Sequence, residues 1–472
     1  MTRRLAVLDL AFFVLETAER PMNVGPLIVL KPPSRRGTRP FADRLYERML
    51  RRPVGAPFNL KLAATSLTSL PNLVPDAAFD IAHHVHRITL PAPGTTDALL
   101  AKVCELHPAL LDRSRPLWDF YVIDGLQDGC VALYARMHHG IVDGVGFVKI
   151  LSRWLSASPK DRTVRAMWEG VDGTTAKRRE QGSLSRRLGK LLRMGAAGAR
   201  TTASLYQLLW QQGLATLGAG PGVPLPFIAA PGVLKAAPSA HRSFAHCTLP
   251  LGEVKALGKT RDATVNDMLL TVLDIAVIRY LENKGDAPAT PLVADMPIAL
   301  GGGSGGNRIA IMQIPLGAPD LDPVERLEAI KAKTQSLKGQ LHGGAADAAM
   351  LHSVITHGLP SLFEGLGLRD APLLANMVVS NPFGFTEKRY MMGAEIGLAL
   401  PVSVVAPGQV LNITAVNYVD RYQIAFLAIA EAVPDIGVLA KYTEEAFATL
   451  AASLRGKGRK RSGRGRASKL RP

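Results

Sequence analysis

Apolar side chains recur along this chain with two different periods, one typical of helices and the other typical of strands. Residues 97–111 repeat apolar positions at helical spacing, whereas residues 118–123 and 130–137 are nearly continuous apolar runs. The glycines and aspartates at 124–129, between those runs, indicate a turn. The pattern therefore predicts a helix, two buried strands joined by a turn, and a further helix that begins near Asp143.

The second half of the chain repeats this mixture of periods. Three of its segments have a helical period, and three shorter ones are apolar enough to be buried strands. The predicted helices lie at 265–280, 323–338 and 438–454, and the predicted strands at 376–380, 410–416 and 423–428. Both halves of the chain are therefore predicted to have a mixed α/β fold.

A change in composition separates the two halves. Residues 159–240 are richer in glycine, serine, proline and basic side chains than the segments on either side. A chain of 472 residues is also too long for one ordinary core. We therefore predict an N-terminal domain at 1–158, a basic and partly helical connector at 159–240, a C-terminal domain at 241–452 and a basic, disordered tail at 453–472.

Composition and charge narrow the class of protein. The three cysteines, Cys104, Cys130 and Cys247, form no CxxC pair, so a disulfide framework is not expected and a reducing compartment is indicated. We find neither an apolar run long enough to span a bilayer nor the continuous apolar stretch of a signal peptide. We therefore expect a cytoplasmic protein.

The net charge of +17 is concentrated at residues 160–200 and in the tail at 455–472. Such basic blocks attract phosphate, on either anionic lipid or nucleic acid. The alternative for the tail is a solvated end that aids solubility, because runs of charge discriminate poorly between functions.

A short segment after the second predicted strand carries the candidate chemistry. His138 and His139 are adjacent there, and Asp143 and Gly144 follow. A histidine at a strand end can project its ring into a cleft, where it can take a proton from an alcohol and return it to a thiolate. Asp143 can hold local structure, while Gly140 and Gly144 relieve crowding in a tight turn. The segment therefore offers what an acyl transfer with one general base needs.

Two other interpretations of this segment stay open. One is a structural turn. The other is a metal site that combines Asp143 with His138 or His139, but no second ligand cluster of recognisable spacing accompanies them, so we predict no metal. The histidines at 83–86 act as an internal control, since they lack an aspartate at the matching offset and a neighbouring glycine. We assign that cluster to packing or to the surface, and the isolated histidines to structural roles.

Several short blocks resemble the bacterial bifunctional wax ester synthase/acyl-CoA:diacylglycerol acyltransferase family. The likeness extends from residue 5 to about residue 452. The blocks are residues 8–12 with Glu16 and 21–25, residues 116–118 with 123–126, the HHxxxDG signature at 138–144, and residues 265–267, 306–307, 380–381 and 411–413. The resemblance implies an α/β fold of two chloramphenicol-acetyltransferase-like domains, with the active site in a tunnel between them.

The same resemblance implies that His139 is the base and that Asp143 is mainly architectural. With His138, which we expect either to pack beneath His139 or to shape the tunnel, they are the candidate catalytic residues. Asn266 is a candidate donor to the tetrahedral oxyanion, with a backbone amide as the alternative.

Two further residues, Gly144 and Trp118, join Asn266 as candidate substrate contacts. A tryptophan in such a strand belongs more often to the core than to a binding site.

The implied reaction moves a fatty acyl group from coenzyme A to diacylglycerol or to a long-chain alcohol. Acyl-CoA is then a substrate, and no cofactor is expected. Peripheral contact with a membrane or a lipid droplet is expected, and nucleic acid is not. Two alternatives remain: the same fold acting on another hydroxyl or amine acceptor, and a non-catalytic protein that coats lipid or binds nucleic acid.

Three positions depart from the family's usual pattern. Asn23 stands where the family usually has histidine, and residues 380–385 keep only the serine, asparagine and glycine of the corresponding block. Residues 296–300 lack the arginine that often follows them. None of these positions touches the base, so the departures concern the acceptor pocket.

Overall fold

The computed structural model describes most of both predicted domains. The described residues are 3–5, 7–33, 40–63, 72–141, 144–170, 234–299, 309–340, 374–382 and 384–464, together with Ser353, Thr356, His357, Pro360 and Glu364. Most of the predicted connector and the block at 306–307 lie outside these residues. The predicted domain boundaries at 158 and 240 therefore stay predictions.

Helices and strands alternate along the described residues. The helices are α1 (Val7–Leu15), α2 (Phe41–Leu50), α3 (Thr96–Leu106), α4 (Gly144–Trp154), α5 (Leu251–Lys259), α6 (Val265–Asn283), α7 (Pro323–Gln340) and α8 (Ile436–Arg464). The strands are β1 (Arg3–Arg4), β2 (Asn23–Lys31), β3 (Leu60–Leu62), β4 (Asn72–Pro75), β5 (Val85–Thr89), β6 (Trp118–Asp124), β7 (Val131–His138), β8 (Arg242–Pro250), β9 (Val293–Ala299), β10 (Ile309–Pro315), β11 (Met377–Ser380), β12 (Tyr390–Met391), β13 (Ala394–Val402), β14 (Leu411–Tyr418) and β15 (Arg421–Ile429).

Two six-stranded sheets organise the molecule. The first has the order β12-β13-β2-β7-β6-β5, and the second has the order β10-β9-β11-β14-β15-β8. Strand β7 is buried along its whole length near the middle of the first sheet, so its end is fixed by neighbours on both sides. A small sheet of β1, β4 and β3 accompanies the first.

One strand pair crosses from the second half of the chain into the first sheet. Strand β13 pairs antiparallel with β2, and β12 pairs with β13. The backbone N–H of Ala399 in β13 also donates to Gln423 Oε1 of β15 at 2.9 Å, so β13 bridges the two sheets. The first sheet is therefore completed by residues that come long after the rest of it in sequence.

A buried arginine joins the two halves a second time. The Arg20 side chain, 2% exposed, donates to both carboxylate oxygens of Glu364, at 2.9 and 2.5 Å. Its Nη1 also donates to the carbonyls of Ala406 at 3.0 Å and Gln409 at 2.8 Å. Because Arg20 lies between α1 and β2, this pair fixes the segment that leads into the first sheet. We call it the Arg20–Glu364 pair below.

Most of the predicted elements are confirmed, and two helix ends are wrong. Helix α3 ends at Leu106 rather than near 111, since Pro108 has no N–H with which to continue a helix. Helix α8 continues to Arg464, so the tail predicted to be disordered from residue 453 begins as helix. Lysine and arginine are good helix formers, and charge alone did not reveal this.

In the described ranges, no helix combines the length and the apolar character that crossing a bilayer requires.

Candidate active site

The two histidines of the signature lie where β7 ends. His138 is the last residue of the strand, and it pairs with Asn23 of β2. The His138 N–H donates to the Leu117 carbonyl at 3.0 Å, and the His139 N–H donates to the Met22 carbonyl at 2.8 Å. The backbone of both histidines is therefore held by the segments that lead into the neighbouring strands.

His138 is buried and has a defined ring orientation. Its Nδ1 accepts the backbone N–H of Gly140 at 3.0 Å, so the neutral ring carries its proton on Nε2. That Nε2 lies 3.6 Å from Glu16 Oε1. Burial first, and then the charges of His139 and Arg113, lower the pKa of His138 to about 3. A ring so enclosed is suited to holding structure rather than to exchanging protons with a substrate.

His139 differs from His138 in its exposure. The residue is half-buried, and its Nδ1 is buried without a partner among the described residues. The Phe12 ring stacks on the imidazole with 3.9 Å between centroids and 20° between planes. Burial lowers the pKa of His139 to about 4, and a contact with its own backbone opposes that shift. The imidazole is therefore neutral at physiological pH, the form that can accept a proton.

The glycine after the histidine pair permits a close approach. A Cβ at Gly140 would lie 2.6 Å from Phe13 Cε2 and 2.8 Å from the Asp9 carbonyl oxygen, both in α1. Only a residue without a side chain lets α1 lie this close to the turn. Of the rest of the signature, Gly144 begins α4, while Asp143 lies outside the described residues. The architectural role of Asp143 stays a prediction.

Trp118 lies in the core, the interpretation that the sequence favoured, and its role as a substrate contact stays a prediction. Its side chain is fully buried, and the indole N–H donates to the Phe58 carbonyl at 2.8 Å. The ring stacks on His84 and on Trp168, with centroid distances of 4.6 and 5.4 Å. His84 in turn donates from Nδ1 to the Trp118 carbonyl at 2.8 Å. The packing role predicted for the histidines at 83–86 is thus confirmed for His84.

Asn266 lies in the first turn of α6 and is already engaged. Its Nδ2 donates to the sulfur of Met296 at 3.1 Å. Its neighbour Asp267 caps the helix through a reciprocal pair of bonds with Thr264. No described contact joins Asn266 to the His139 ring, so its role as an oxyanion donor stays a prediction.

Asn23, the departure from the family pattern in β2, is fully buried. Its Nδ2 donates to the carbonyls of His107 and Ala109, both at 2.9 Å. His107 is itself fixed by Tyr134 Oη at 2.7 Å and by the Ser403 carbonyl at 2.9 Å. Asn23 therefore holds the loop after α3 through its amide nitrogen, while its Oδ1 is buried with no partner among the described residues.

The sequence motifs did not indicate that residues of α1 and of the loop before β6 surround the histidines. Phe13 stacks on His138 with 4.0 Å between centroids, and Arg113 donates to Glu16 Oε2 at 3.0 Å. The sequence did mark two of these residues, because Phe12 and Glu16 belong to the block that resembles the N-terminal block of the family. Spacing alone could not show that these side chains meet the histidine pair.

Two clefts are described, and His139 lines neither. One, of ≈ 260 Å³, lies at the junction of the halves between α3, β8 and α8. The other, of ≈ 270 Å³, lies beside the first sheet and includes Lys61, Asp76 and His84. The tunnel between the domains that the resemblance implies therefore stays a prediction.

Comparison with protein families identifies matches along nearly the whole chain. Residues 5–269 match the wax ester synthase/diacylglycerol acyltransferase catalytic domain, and residues 305–451 match the C-terminal domain of the same family. A putative diacylglycerol O-acyltransferase of Mycobacterium bovis is 32% identical over 462 residues, covering 95% of this chain and 96% of the relative. The O-acyltransferase WSD of Acinetobacter baylyi is 29% identical over 446 residues, covering 94% and 96%.

Solved structures show the same fold. The wax ester synthase/diacylglycerol acyltransferase of Marinobacter aquaeolei VT8 superposes with a TM-score of 0.72 and 25% identity, covering 96% of this chain and 99% of that one. The starter condensation domain of rhizomide synthetase reaches a TM-score of 0.56 at 13% identity, with coverage of 96% and 94%, and shows a likeness of fold alone. The predicted two-domain α/β fold is confirmed.

Proposed function

The chain belongs to the wax ester synthase/diacylglycerol acyltransferase family, and from this premise we propose that it moves a fatty acyl group from acyl-CoA to diacylglycerol and to long-chain alcohols, with His139 as general base. The observation that carries the proposal is the state of that ring. The ring is neutral, half-buried at a strand end and stacked on Phe12. A general base for an alcohol has to be deprotonated and held in position in this way.

The proposed reaction is a direct transfer in a ternary complex of protein, acyl-CoA and acceptor. Because Nδ1 of His139 is buried, we assign the proton transfer to Nε2. Nε2 takes the acceptor hydroxyl proton as the oxygen attacks the thioester carbonyl. The C–S bond then breaks, and the same proton passes to the departing coenzyme A thiolate. Atoms balance as acyl-CoA plus alcohol giving ester plus free coenzyme A, with no acyl-enzyme and no metal.

An acceptor panel tests this function. Labelled palmitoyl-CoA is supplied with diacylglycerol, with hexadecanol or with a water-soluble amine, and free thiol and labelled product are both measured. We expect labelled triacylglycerol and wax ester, each formed with an equal amount of free thiol. Acylated amine as the main product would assign the chain to another acceptor class. No thioester consumption with any acceptor would leave a non-catalytic, lipid-coating or nucleic-acid-binding protein.

The pH dependence of the reaction follows from the pKa of His139. A general base works only when it is deprotonated, so kcat/KM is expected to stay level from roughly pH 8 to pH 5 and to fall on further acidification. The fall should centre near the His139 pKa of about 4, rather than near the ordinary histidine value. The measurement is kcat/KM for palmitoyl-CoA at saturating diacylglycerol. An acid limb centred between pH 6 and 7 would contradict it.

A folding control accompanies that profile. Burial lowers the pKa of both His138 and His139 in the folded state, so the unfolded chain binds more protons below the ordinary histidine pKa. Their contribution to stability is present at neutral pH and is lost as the pH falls toward those lowered values. Circular dichroism at each pH separates this loss of structure from protonation of the base.

Diacylglycerol resides in a lipid surface, and we propose that basic residues bring the protein to it. Residues 457–472 contain eight lysines and arginines and no acidic residue. Each basic residue near an anionic surface contributes about 1 kcal/mol to binding. In the acceptor assay, a chain ending at residue 456 should lose activity on vesicles that contain anionic lipid but not on neutral ones. That truncation spares the Arg455–Glu253 ion pair. If the truncated chain is equally active on both kinds of vesicle, the tail does not contribute to lipid binding.

A further inference from the structure

Helix α1 covers both histidines with consecutive aromatic rings. Phe12 stacks on His139 at 3.9 Å between centroids and 20° between planes, and Phe13 stacks on His138 at 4.0 Å and 16°. Parallel contacts this close restrict each imidazole to one plane. Phe12 therefore limits the directions in which His139 can present a ring nitrogen.

Glu16, the residue that follows α1, fixes the backbone of the same histidine. Glu16 Oε1 accepts the Met22 N–H at 3.2 Å, and the Met22 carbonyl accepts the His139 N–H at 2.8 Å. The other oxygen, Oε2, accepts from Arg113, which also donates to the Phe13 carbonyl at 3.1 Å. The Glu16 carboxylate, 4% exposed, thus connects α1, the start of β2 and the loop before β6. Through Met22 it reaches the residue that carries the proposed base.

We propose that α1 and Glu16, the residue directly after it, form a positioning element for the acyl transfer, in which Phe12 fixes the ring of His139 and Glu16 fixes its backbone. The inference rests on the proposed function of His139 as base. Neither Phe12 nor Glu16 takes part in proton transfer. Their effect is to keep one ring orientation populated before substrate arrives, and a small misplacement of a reacting group is costly in rate.

Substitution of Phe12 separates positioning from mere filling of space. Phe12→Leu keeps an apolar side chain but removes the aromatic face, while Phe12→Tyr retains the face. We expect Phe12→Leu to lower kcat by about tenfold or more, with little change in KM for palmitoyl-CoA, because only ring orientation is lost. Phe12→Tyr should recover most of the turnover. Val14→Ala, on the same helix at an 82% exposed position, is the matched control and should behave as wild type.

Glu16 is tested by a second pair of variants. Glu16→Gln keeps an oxygen that can accept the Met22 N–H, whereas Glu16→Ala removes it. A low kcat in Glu16→Ala with substantial recovery in Glu16→Gln supports the link through Met22. Equal losses in the two variants overturn that link. Melting temperatures measured alongside show whether a lost kcat reflects unfolding.

These variants also separate the positioning role of Phe12 from the role of His139 as general base. Wild-type kcat in Phe12→Leu, or a rise in KM alone, overturns the positioning role while an inactive His139→Ala keeps His139 as base. Full activity in His139→Ala would contradict both the role of His139 as base and the positioning role of Phe12. An equal loss of kcat in Phe12→Leu and Phe12→Tyr also contradicts the stacking role, since tyrosine retains the aromatic face.

Discussion

Replacing His139 with alanine should reduce turnover of palmitoyl-CoA by about a hundredfold or more, because a positioned general base contributes at least that much to rate. The ring is half-buried, and its Nδ1 has no partner among the described residues, so the substitution removes the stacking contact with Phe12 but no described hydrogen bond of that nitrogen. The backbone bond to Met22 remains available. The measurement is kcat with diacylglycerol as acceptor, together with the melting temperature.

The matched control for that variant is another histidine. His241→Ala removes a side chain that is 81% exposed and pairs with Glu431 on the surface. Its turnover should equal that of the wild type. If His139→Ala retains near wild-type turnover, the proton must leave the acceptor by another route, and His139 is not the base.

Glu364→Ala should produce the largest loss of stability among the variants considered. It leaves the Arg20 guanidinium, 2% exposed, without its carboxylate partner. Breaking a buried ion pair from one side costs about 3–5 kcal/mol. The 23% exposure of Glu364 and the two carbonyls that still accept from Arg20 both favour the lower end. The measurement is the midpoint of urea unfolding, with the slope of the transition checked for change.

An exposed ion pair supplies the control for that measurement. Arg279 and Glu445 are 48% and 38% exposed, and such surface pairs contribute about 0–1 kcal/mol. Glu445→Ala should therefore shift the midpoint far less than Glu364→Ala. Similar shifts in the two variants would show that the Arg20–Glu364 pair has no special weight in joining the halves.

The local features of this protein were predictable because each depends on a short stretch of sequence. Strand β7 is a continuous apolar run, so its end, and with it the place of His138 and His139, follows from the pattern alone. The start of α6 is likewise marked by Thr264 and Asp267, three residues apart, which satisfy each other's backbone N–H groups.

Other features depend on contacts between distant segments, and no local pattern contains them. Helix α1 is apolar on nearly every side, so nothing in its period distinguishes Phe12 or Phe13 from a residue of the core. From sequence alone, the indole of Trp118 could lie in a pocket or in the core. Its contacts with Phe58 and Trp168 in the structure place it in the core. The partner of Arg20 lies far along the chain, and its burial could not be read from the sequence around it.

The crossing of β13 into the first sheet has a consequence for how the protein is made. Strand β2 is largely apolar, and one of its edges is paired only when β13 arrives. On a ribosome that adds about 5–20 residues per second, β2 emerges roughly 20 to 75 s before β13 does. Throughout that interval the nascent chain carries an open strand edge that can pair with neighbours on the same polysome. Chaperones that cover this edge during synthesis should therefore raise the yield of this protein in a heterologous host.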